Sequence, residues 1–288
     1  MKTIDVTHNF NFAGLDGKLR RFALEELAAA GIKHLVFSTS LIHAAMADAN
    51  FEQEISLDLQ AFGLSFLDSH LPFGIHEVMN LPLEEEREIM LLRNELGMQL
   101  AAAAGAKVCA FHTGNNNFPE YTLPIYHEQL LRSLERLLPM AEKLHLVLAL
   151  ENQWTPPNAT SKMLAAVKHF DSPFLGICYD AGHANLMAKG KDQLERSCVP
   201  GWWKNMEIEW DEQLLERVLP YVVTCHLHDN DGITDQHLLP GKGNIDWPKI
   251  MALLRQAPRL QCIQNEMSLP SEGVSLKQVA QTYTSLIT

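Results

Sequence analysis

The chain has 288 residues, 47% of them hydrophobic and 20% charged, a composition that excludes an intrinsically disordered protein. The 35 acidic side chains outnumber the 23 basic ones, and the resulting net charge of −12 disfavours a nucleic-acid partner because it repels phosphate backbones. The N-terminus lacks a signal-peptide pattern and no window offers about 18 uninterrupted apolar residues, so we predict a cytoplasmic protein without a membrane span.

Short apolar runs recur along the chain and predict buried β-strands. Strands of a parallel sheet are covered on both faces, so they read as continuous apolar runs. The runs are TIDVTHNF, KHLVFSTS, LSFLDSHLP, KVCAFHTG, HLVLALEN, FLGICYDAGHAN, YVVTCHLHDN and LQCIQNEMS.

Helical patterns separate these runs. GKLRRFALEELAAAGI and LPLEEEREIMLLRNELGMQLAAAAGA reach a glycine just ahead of the next strand, and the second starts with acidic residues, which a helix N-terminus favours. YTLPIYHEQLLRSLERLLPMAEKL and NIDWPKIMALLRQAP carry apolar stripes. This alternation, without a linker, predicts one α/β domain over residues 1–288, a single (β/α)8 TIM barrel. A doubly wound open sheet is the alternative, but GxGxxG after the first strand and GxxxxGK[ST] are both missing.

The five cysteines show no CxxC spacing and lie mostly in apolar runs, which predicts reduced, packed thiols. The sequence leaves the oligomeric state open, a homo-oligomer included.

Imidazoles and carboxylates follow nearly every predicted strand from the third onward. TIM barrels form their active sites at this end of the strands. The residues in chain order are His70, His112, Glu151, Asp180, His183, His226, His228 and Glu266, with Asp235 and His237 in the loop after the seventh strand.

A divalent cation accounts for this convergence better than separate structural roles do. Taken alone, Asp180 before Gly182 fits a turn, and Glu151 before Asn152 fits a helix cap. Several such groups facing one another in a partly buried mouth are costly without a cation. Imidazole and carboxylate ligands without thiolate suit Zn²⁺, Mn²⁺, Co²⁺ or Fe²⁺ better than Ca²⁺.

Spacing predicts which of these residues share a cation. Asp180 and His183 face one ion if the strand turns into a helix between them, a turn that Gly182 makes easy. His226 and His228 share one face of an extended strand, and either fits the role of ligand.

The remaining histidines and the loops receive simpler interpretations. His8 at the end of the first strand is a candidate for the pocket floor, and His43 and His76 in rim loops are candidates for contacts to the ligands. Surface roles are expected for four others: His34, His127, His145 and His169. The loop STSLIHAAMADANFEQE has no Lys or Arg. In the long segment AKGKDQLERSCVPGWWKNMEIEWDEQ, acids are interleaved with the basic residues, and the two tryptophans either cover the mouth or pack an irregular loop.

Several motifs resemble those of the xylose isomerase-like barrels: FHTG at 111–114, LEN at 150–152, YDAGHAN at 179–185, HLHDN at 226–230, DQHLLPGKGNIDW at 235–247 and NEM at 265–267. That superfamily includes sugar-phosphate isomerases and epimerases, ketose 3-epimerases and endonuclease IV, an AP endonuclease. The resemblance spans roughly residues 64–268 and is most specific from HLHDN through GKGNIDW, where motif, spacing and strand position agree.

The resemblance implies one metal ion, Zn²⁺ or Mn²⁺ before Co²⁺ or Fe²⁺, held by Glu151, Asp180, His226 and Glu266. It implies a sugar or sugar-phosphate isomerase or epimerase, in which the metal stabilises an enediolate and the two glutamates move the proton. Further expected contacts to substrate or ligands come from His183, His228, Asp229 and His237. Lys242 either contacts a substrate phosphate or solvates its turn.

Two other chemistries stay open. Endonuclease IV holds three zinc ions, and its additional ligands correspond to His70, His112, His183, Asp235 and His237, which would make the protein a phosphodiesterase. The acidic balance and the rim loops argue against that reading, since a DNA-binding barrel should offer Lys or Arg near its site. A metal-binding barrel acting on another small hydroxy-carbonyl compound is the third possibility.

Overall fold

Eight parallel strands form a closed barrel in chain order, which agrees with the predicted (β/α)8 fold. The computed structural model describes residues 4–114, 116–188, 208–267 and 273–288. The strands are β1 (Asp5–His8), β2 (His34–Phe37), β3 (Ser65–His70), β4 (Val108–His112), β5 (Val147–Glu151), β6 (Leu175–Asp180), β7 (Val222–Leu227) and β8 (Cys262–Asn265). Each lies inside a run that the sequence predicts.

Helices follow the strands along the chain and pack around the barrel. They are α1 (Gly17–Ala29), α2 (Thr39–Ala47), α3 (Phe51–Ala61), α4 (Glu84–Ala104), α5 (Leu123–Leu144), α6 (Thr160–Phe170), α7 (Ala181–Met187), α8 (Leu214–Val218), α9 (Trp247–Leu254) and α10 (Leu276–Ile287). None of the helices in the described parts of the chain has the length and apolarity needed to cross a bilayer.

Local sequence signals set the helix ends. Asp16 accepts hydrogen bonds from the backbone N–H groups of Lys18 and Leu19 and so caps α1. Helix α4 begins with three glutamates and ends before Gly105, whose φ of 105° is a left-handed conformation that glycine adopts without strain. The end of α4 at Gly105 thus lets β4 begin three residues later, at Val108.

The prediction of a loop over STSLIHAAMADANFEQE is wrong. The segment forms α2 and the first turn of α3, because Leu41 and Ala45 of α2 and Ile55 and Leu59 of α3 repeat at helical spacing and are buried. His43 therefore lies on a helix rather than in a loop, with Nε2 3.4 Å from Glu77 Oε1.

The barrel interior has an apolar side and a polar side. On β4, β5 and β6 one set of buried residues is small and apolar, and it packs as one cluster with Val223: Val108, Ala110, Val147, Ala149 and Cys178. On β1, β3, β7 and β8 the buried side chains include Thr7, Asp68, Thr224 and Gln264, each at most 1% exposed. Four cysteines, Cys109, Cys178, Cys225 and Cys262, are free and buried, as predicted.

Candidate active site and metal centre

A cavity of about 480 Å³ lies where the strands end. Seven of the residues that the sequence places near strand ends line it: His70, His112, Glu151, His183, Asp235, His237 and Glu266. Asp180, His226 and His228 are 0% exposed and contact these residues from within the protein. The structure therefore brings all ten residues to one place.

The centre of the site contains Glu151, Asp180, His226 and Glu266, which offer one ligand atom each, all within 4.8 Å of one another. Nδ1 of His226 lies 3.4 Å from Glu151 Oε2, 3.1 Å from Glu266 Oε2 and 3.8 Å from Asp180 Oδ2. Three carboxylates around one buried imidazole match the ligand types that Zn²⁺ and Mn²⁺ accept.

Glu151 also belongs to a second cluster, with His70 and His112. Its Oε2 lies 3.1 Å from Nε2 of His70 and 3.5 Å from Nε2 of His112. The pKa of His112 is lowered to about 4, because burial disfavours the charged ring more than Glu151 favours it. The ring is therefore neutral at neutral pH, the form in which imidazole binds a metal.

A third cluster consists of His183, His228, Asp235 and His237. Asp235 Oδ2 lies 3.1 Å from Nε2 of His237 and 3.5 Å from Nε2 of His183, and the His228 and His237 rings stack with centroids 3.8 Å apart. Burial acts to lower the pKa of His237, but the bond to Asp235 raises it to about 9. A cation at this cluster would therefore compete with protons for the same side chains.

Three of the histidines share a hydrogen-bond pattern that is typical of metal ligands. In each ring Nδ1 donates its hydrogen to a backbone carbonyl, which fixes the proton on Nδ1 because a carbonyl only accepts. The bonds run from His70 to Leu71, from His183 to Asn152 and from His237 to Glu266, at 2.8, 2.9 and 2.7 Å. In a neutral ring, Nε2 then presents a lone pair to a carboxylate oxygen, an arrangement that a cation stabilises. The residues present therefore fit divalent cations.

Asp180 owes its position to the junction between β6 and α7. Its Oδ1 accepts a hydrogen bond of 2.7 Å from the His183 backbone N–H and so caps α7, which leaves Oδ2 for the cluster. The strand thus turns into a helix between Asp180 and His183, as the sequence predicts. Gly182 lies inside the helix, not in a turn: a Cβ there would be 2.0 Å from the His228 ring, so glycine is needed for this close approach.

Asp229 supports the loop after β7 and does not line the cavity. Its two oxygens accept four hydrogen bonds, from the backbone N–H groups of Asn230, Gly241 and Ile245 and from Nε1 of Trp247. These donors saturate the carboxylate, so the expected contact of Asp229 with substrate or ligands is not found. We call this group the Asp229 clamp.

Other candidates also lie away from the cavity. Lys242 is exposed on the turn between Gly241 and Gly243 and does not line the pocket. Asp231 accepts hydrogen bonds from two backbone N–H groups of its own loop, as plain turn chemistry requires. His8 is buried and hydrogen-bonded to Asn265, while the exposed His76 pairs with Glu86 at 2.6 Å.

The sequence interpretation missed the uncharged lining of the cavity. Two aromatic residues stand in it: Phe73, 48% exposed and packed on the His112 ring at 4.7 Å, and Trp154, edge-on to His183 at 4.8 Å. The other lining residues are small and neutral: Asn9, Asn11, Ser38, Thr39, Ser40 and Gln153. Phe73 and Trp154 each lie three residues after a ligand-type residue at a strand end, which was the available signal.

Some predictions fall outside the described residues. They concern the proposed cover by Trp202 and Trp203 and the basic residues Lys189, Lys191, Arg196 and Lys204.

Comparison with known proteins places the barrel among its relatives. The family model for the xylose isomerase-like TIM barrel matches residues 23–267. The uncharacterized protein y4fM of Sinorhizobium fredii is 26% identical over 257 residues, which cover 80% of this chain and 75% of that protein.

Two solved structures share the fold at low identity. The apo form of the E. coli 3-keto-D-glucoside 4-epimerase YcjR aligns with a TM-score of 0.72, 14% identity and 98% coverage of both chains. A xylose isomerase-like TIM barrel protein from Mycobacterium smegmatis, in complex with magnesium, aligns with a TM-score of 0.73 and 16% identity over 100% of this chain and 97% of that one.

Proposed function

The chain belongs to the xylose isomerase-like TIM barrel family, and from that premise we propose a divalent-metal-dependent isomerase or epimerase that acts on an unphosphorylated keto sugar. One observation carries the proposal. Glu151 and Glu266 both line the cavity and both offer an oxygen to the same ligand cluster, in a cavity whose described lining contains no Lys or Arg.

The cation has defined candidate ligands. Glu151, Asp180, His226 and Glu266 would hold it, and His226 is the one imidazole among three carboxylates. When bound, the metal supplies a fixed positive charge beside the substrate oxygen on which negative charge develops.

Proton transfer falls to the two pocket glutamates. Burial acts to raise the pKa of Glu151, but the surrounding imidazoles, His226 first, hold it well below its ordinary range, so this carboxylate is ionised and can accept a proton. The Glu266 side chain is 16% exposed towards the cavity and provides a second carboxylate. We propose that one glutamate removes the proton next to the carbonyl and the other returns it.

The lining of the cavity favours an uncharged substrate. Phosphate recognition normally uses Arg or Lys, and none is found among the described lining residues. Asn9, Asn11 and Ser40 offer neutral hydrogen-bonding groups suited to hydroxyls, and Phe73 offers an apolar face. Trp154 adds a second aromatic surface to the lining, on which the apolar face of a sugar can pack.

Hydrolysis of a phosphodiester is the second candidate function. The observation in its favour is the presence of two further ligand clusters, one around His70 and His112 and one around Asp235, beside the central one. Three metal ions in these clusters would suit attack by an activated water. Under the first proposal, these side chains instead hold a second ion or contact sugar hydroxyls.

A combined assay separates the two functions. Protein loaded with Mn²⁺ or Zn²⁺ is analysed for metal content and incubated with keto sugars, their phosphates and a duplex that contains an abasic site. We expect isomerisation or epimerisation of an unphosphorylated sugar and no nicking of the duplex. Efficient nicking by protein with three metal equivalents, without turnover of any sugar, would contradict the proposal.

A further inference from the structure

The polar side of the barrel interior contains buried polar atoms without hydrogen-bond partners among the described residues, close to the cluster formed by Glu151, Asp180, His226 and Glu266. Asp68 is 1% exposed, and its Oδ1 has no hydrogen-bond partner among the described residues. Gln264 is also 1% exposed, and both its Nε2 and its Oε1 lack partners within the same part of the chain. A buried polar atom without a partner destabilises the fold, so three in one place require an explanation.

Strand register shows that these side chains are neighbours of His226. Gln264 on β8 pairs in register with His226 on β7, so both side chains point into the barrel. Cys262, two residues before Gln264 and on the same face, places its Sγ 3.7 Å from Asp68 Oδ2. Burial raises the pKa of Asp68 to about 6, and the nearby His226 acts to lower it. Asp68, Gln264 and His226 thus share one buried compartment.

The orientation of the His226 ring defines which nitrogen faces this compartment. Nδ1 is the nitrogen that approaches Glu151, Asp180 and Glu266. Neither ring nitrogen has a hydrogen-bond partner among the described residues, and Nδ1 is the nitrogen nearest each of the three carboxylates, which leaves Nε2 for the compartment. The Cys178 thiol is also close, but burial raises its pKa to about 12, so it stays neutral and is a weak acceptor.

We propose that Nε2–H of His226 donates into a hydrogen-bonded chain formed by Gln264, a buried water and Asp68, and that Asp68 is thereby a positioning residue for the metal ligand His226. The chain satisfies the unpaired atoms, since a buried water makes about three hydrogen bonds. It also keeps the proton on Nε2 and the lone pair on Nδ1, where the cation cluster lies. The proposal rests on the metal site of the proposed function.

The test is the affinity for the metal alone, measured by titration calorimetry with Mn²⁺ on chelator-treated protein. Asp68→Asn keeps the shape of the side chain and removes its negative charge. We expect Mn²⁺ to bind about 10- to 100-fold more weakly, the effect typical of a lost partner of a metal-binding histidine. The thermal midpoint of the chelated protein should stay unchanged or rise, because a buried charge is removed. A merely structural residue would lower the midpoint instead.

Controls make each outcome decisive. As a matched control, Thr224→Val removes a different buried polar group, the β7 hydroxyl that donates to the Cys262 carbonyl. This variant should bind Mn²⁺ as tightly as the wild type. Equal affinity in Asp68→Asn and wild type would overturn the proposal. If Asp68→Asn does not fold, Gln264→Met decides: weaker Mn²⁺ binding supports the chain, and unchanged binding overturns it. If the wild type binds neither Mn²⁺ nor Zn²⁺, the proposed function itself fails before any variant is compared.

Discussion

Asp180 and Asp229 are both 0% exposed near the carboxyl end of the barrel, yet their surroundings differ. Asp229 is saturated by three backbone N–H groups of the loop that it supports and by the indole of Trp247 at the start of α9. Asp180 Oδ2 meets imidazoles instead, at 3.2 Å from Nε2 of His228 and 3.5 Å from Nδ1 of His183. Burial alone therefore does not identify a metal ligand; the chemistry of the neighbouring donors does.

Asp180→Asn should have the largest effect on activity. The amide keeps the shape and the cap of α7 but removes one negative charge from the cluster. We expect kcat/KM to fall about 10²- to 10³-fold, the loss found when one group that stabilises developing charge is removed. Turnover and melting should be measured together. Normal turnover of the Asp180→Asn variant would contradict a role of Asp180 in catalysis.

Asp229→Asn should have the opposite profile. An amide leaves two of the four donors facing an NH₂ group, which should lower the free energy of unfolding by about 3–5 kcal/mol. Urea denaturation gives this value, and Mn²⁺ affinity, measured where the variant is folded, should stay near that of the wild type. A large loss of Mn²⁺ affinity without a loss of stability would contradict the purely supporting role of Asp229 in its clamp.

Trp247→Phe should produce a smaller loss of the same kind. The substitution keeps most of the ring packing but removes the Nε1 donor that lies 2.8 Å from Asp229 Oδ2. A hydrogen bond to a charged group contributes about 1.5–3 kcal/mol, and the free energy of unfolding should fall by that amount. In the double variant with Asp229→Asn the two losses should not add in full, since both substitutions weaken the bond between Trp247 Nε1 and Asp229. Full additivity would exclude coupling through that bond.

The smallest effect is expected from Asp58→Asn, at a carboxylate that lies outside the surroundings of both Asp180 and Asp229. This carboxylate joins α3 to α1 through Arg20 and Arg21, at 2.8 and 2.6 Å. Burial acts to raise the pKa of Asp58, but the two arginines lower it below its ordinary value. The pair therefore stabilises the fold above the unfolded pKa of about 3.9, and this contribution is lost as pH falls through the folded value. Asp58→Asn should flatten this acid limb in denaturation series, and parallel curves would contradict the assignment.

The sequence predicts the barrel and the composition of the site because both depend on local patterns. Apolar runs mark β1 to β8, and parallel strands necessarily bring residues such as His112, Glu151 and Asp180 to one rim. The segment STSLIHAAMADANFEQE after β2 was wrongly predicted to be a loop. Its polar residues obscure the helical spacing of the buried residues Leu41 and Ala45.

Roles that depend on three-dimensional partners are not visible in sequence. HLHDN gives no sign that His226 and His228 enter different clusters or that Asp229 serves its own loop. Lys242 lies within a conspicuous motif, but it is exposed and does not line the cavity. Tertiary contacts, not spacing, assign these roles.

Exchange of a substrate proton with solvent tests the central claim most directly. Mn²⁺-loaded protein is incubated with unphosphorylated keto sugars in D₂O, and loss of the proton next to the carbonyl is followed by NMR. The account predicts deuterium at that carbon with the wild type and none with Glu151→Gln or Glu266→Gln, since each glutamate handles that proton. Turnover of a sugar without deuterium incorporation, or incorporation undiminished in both variants, would contradict it.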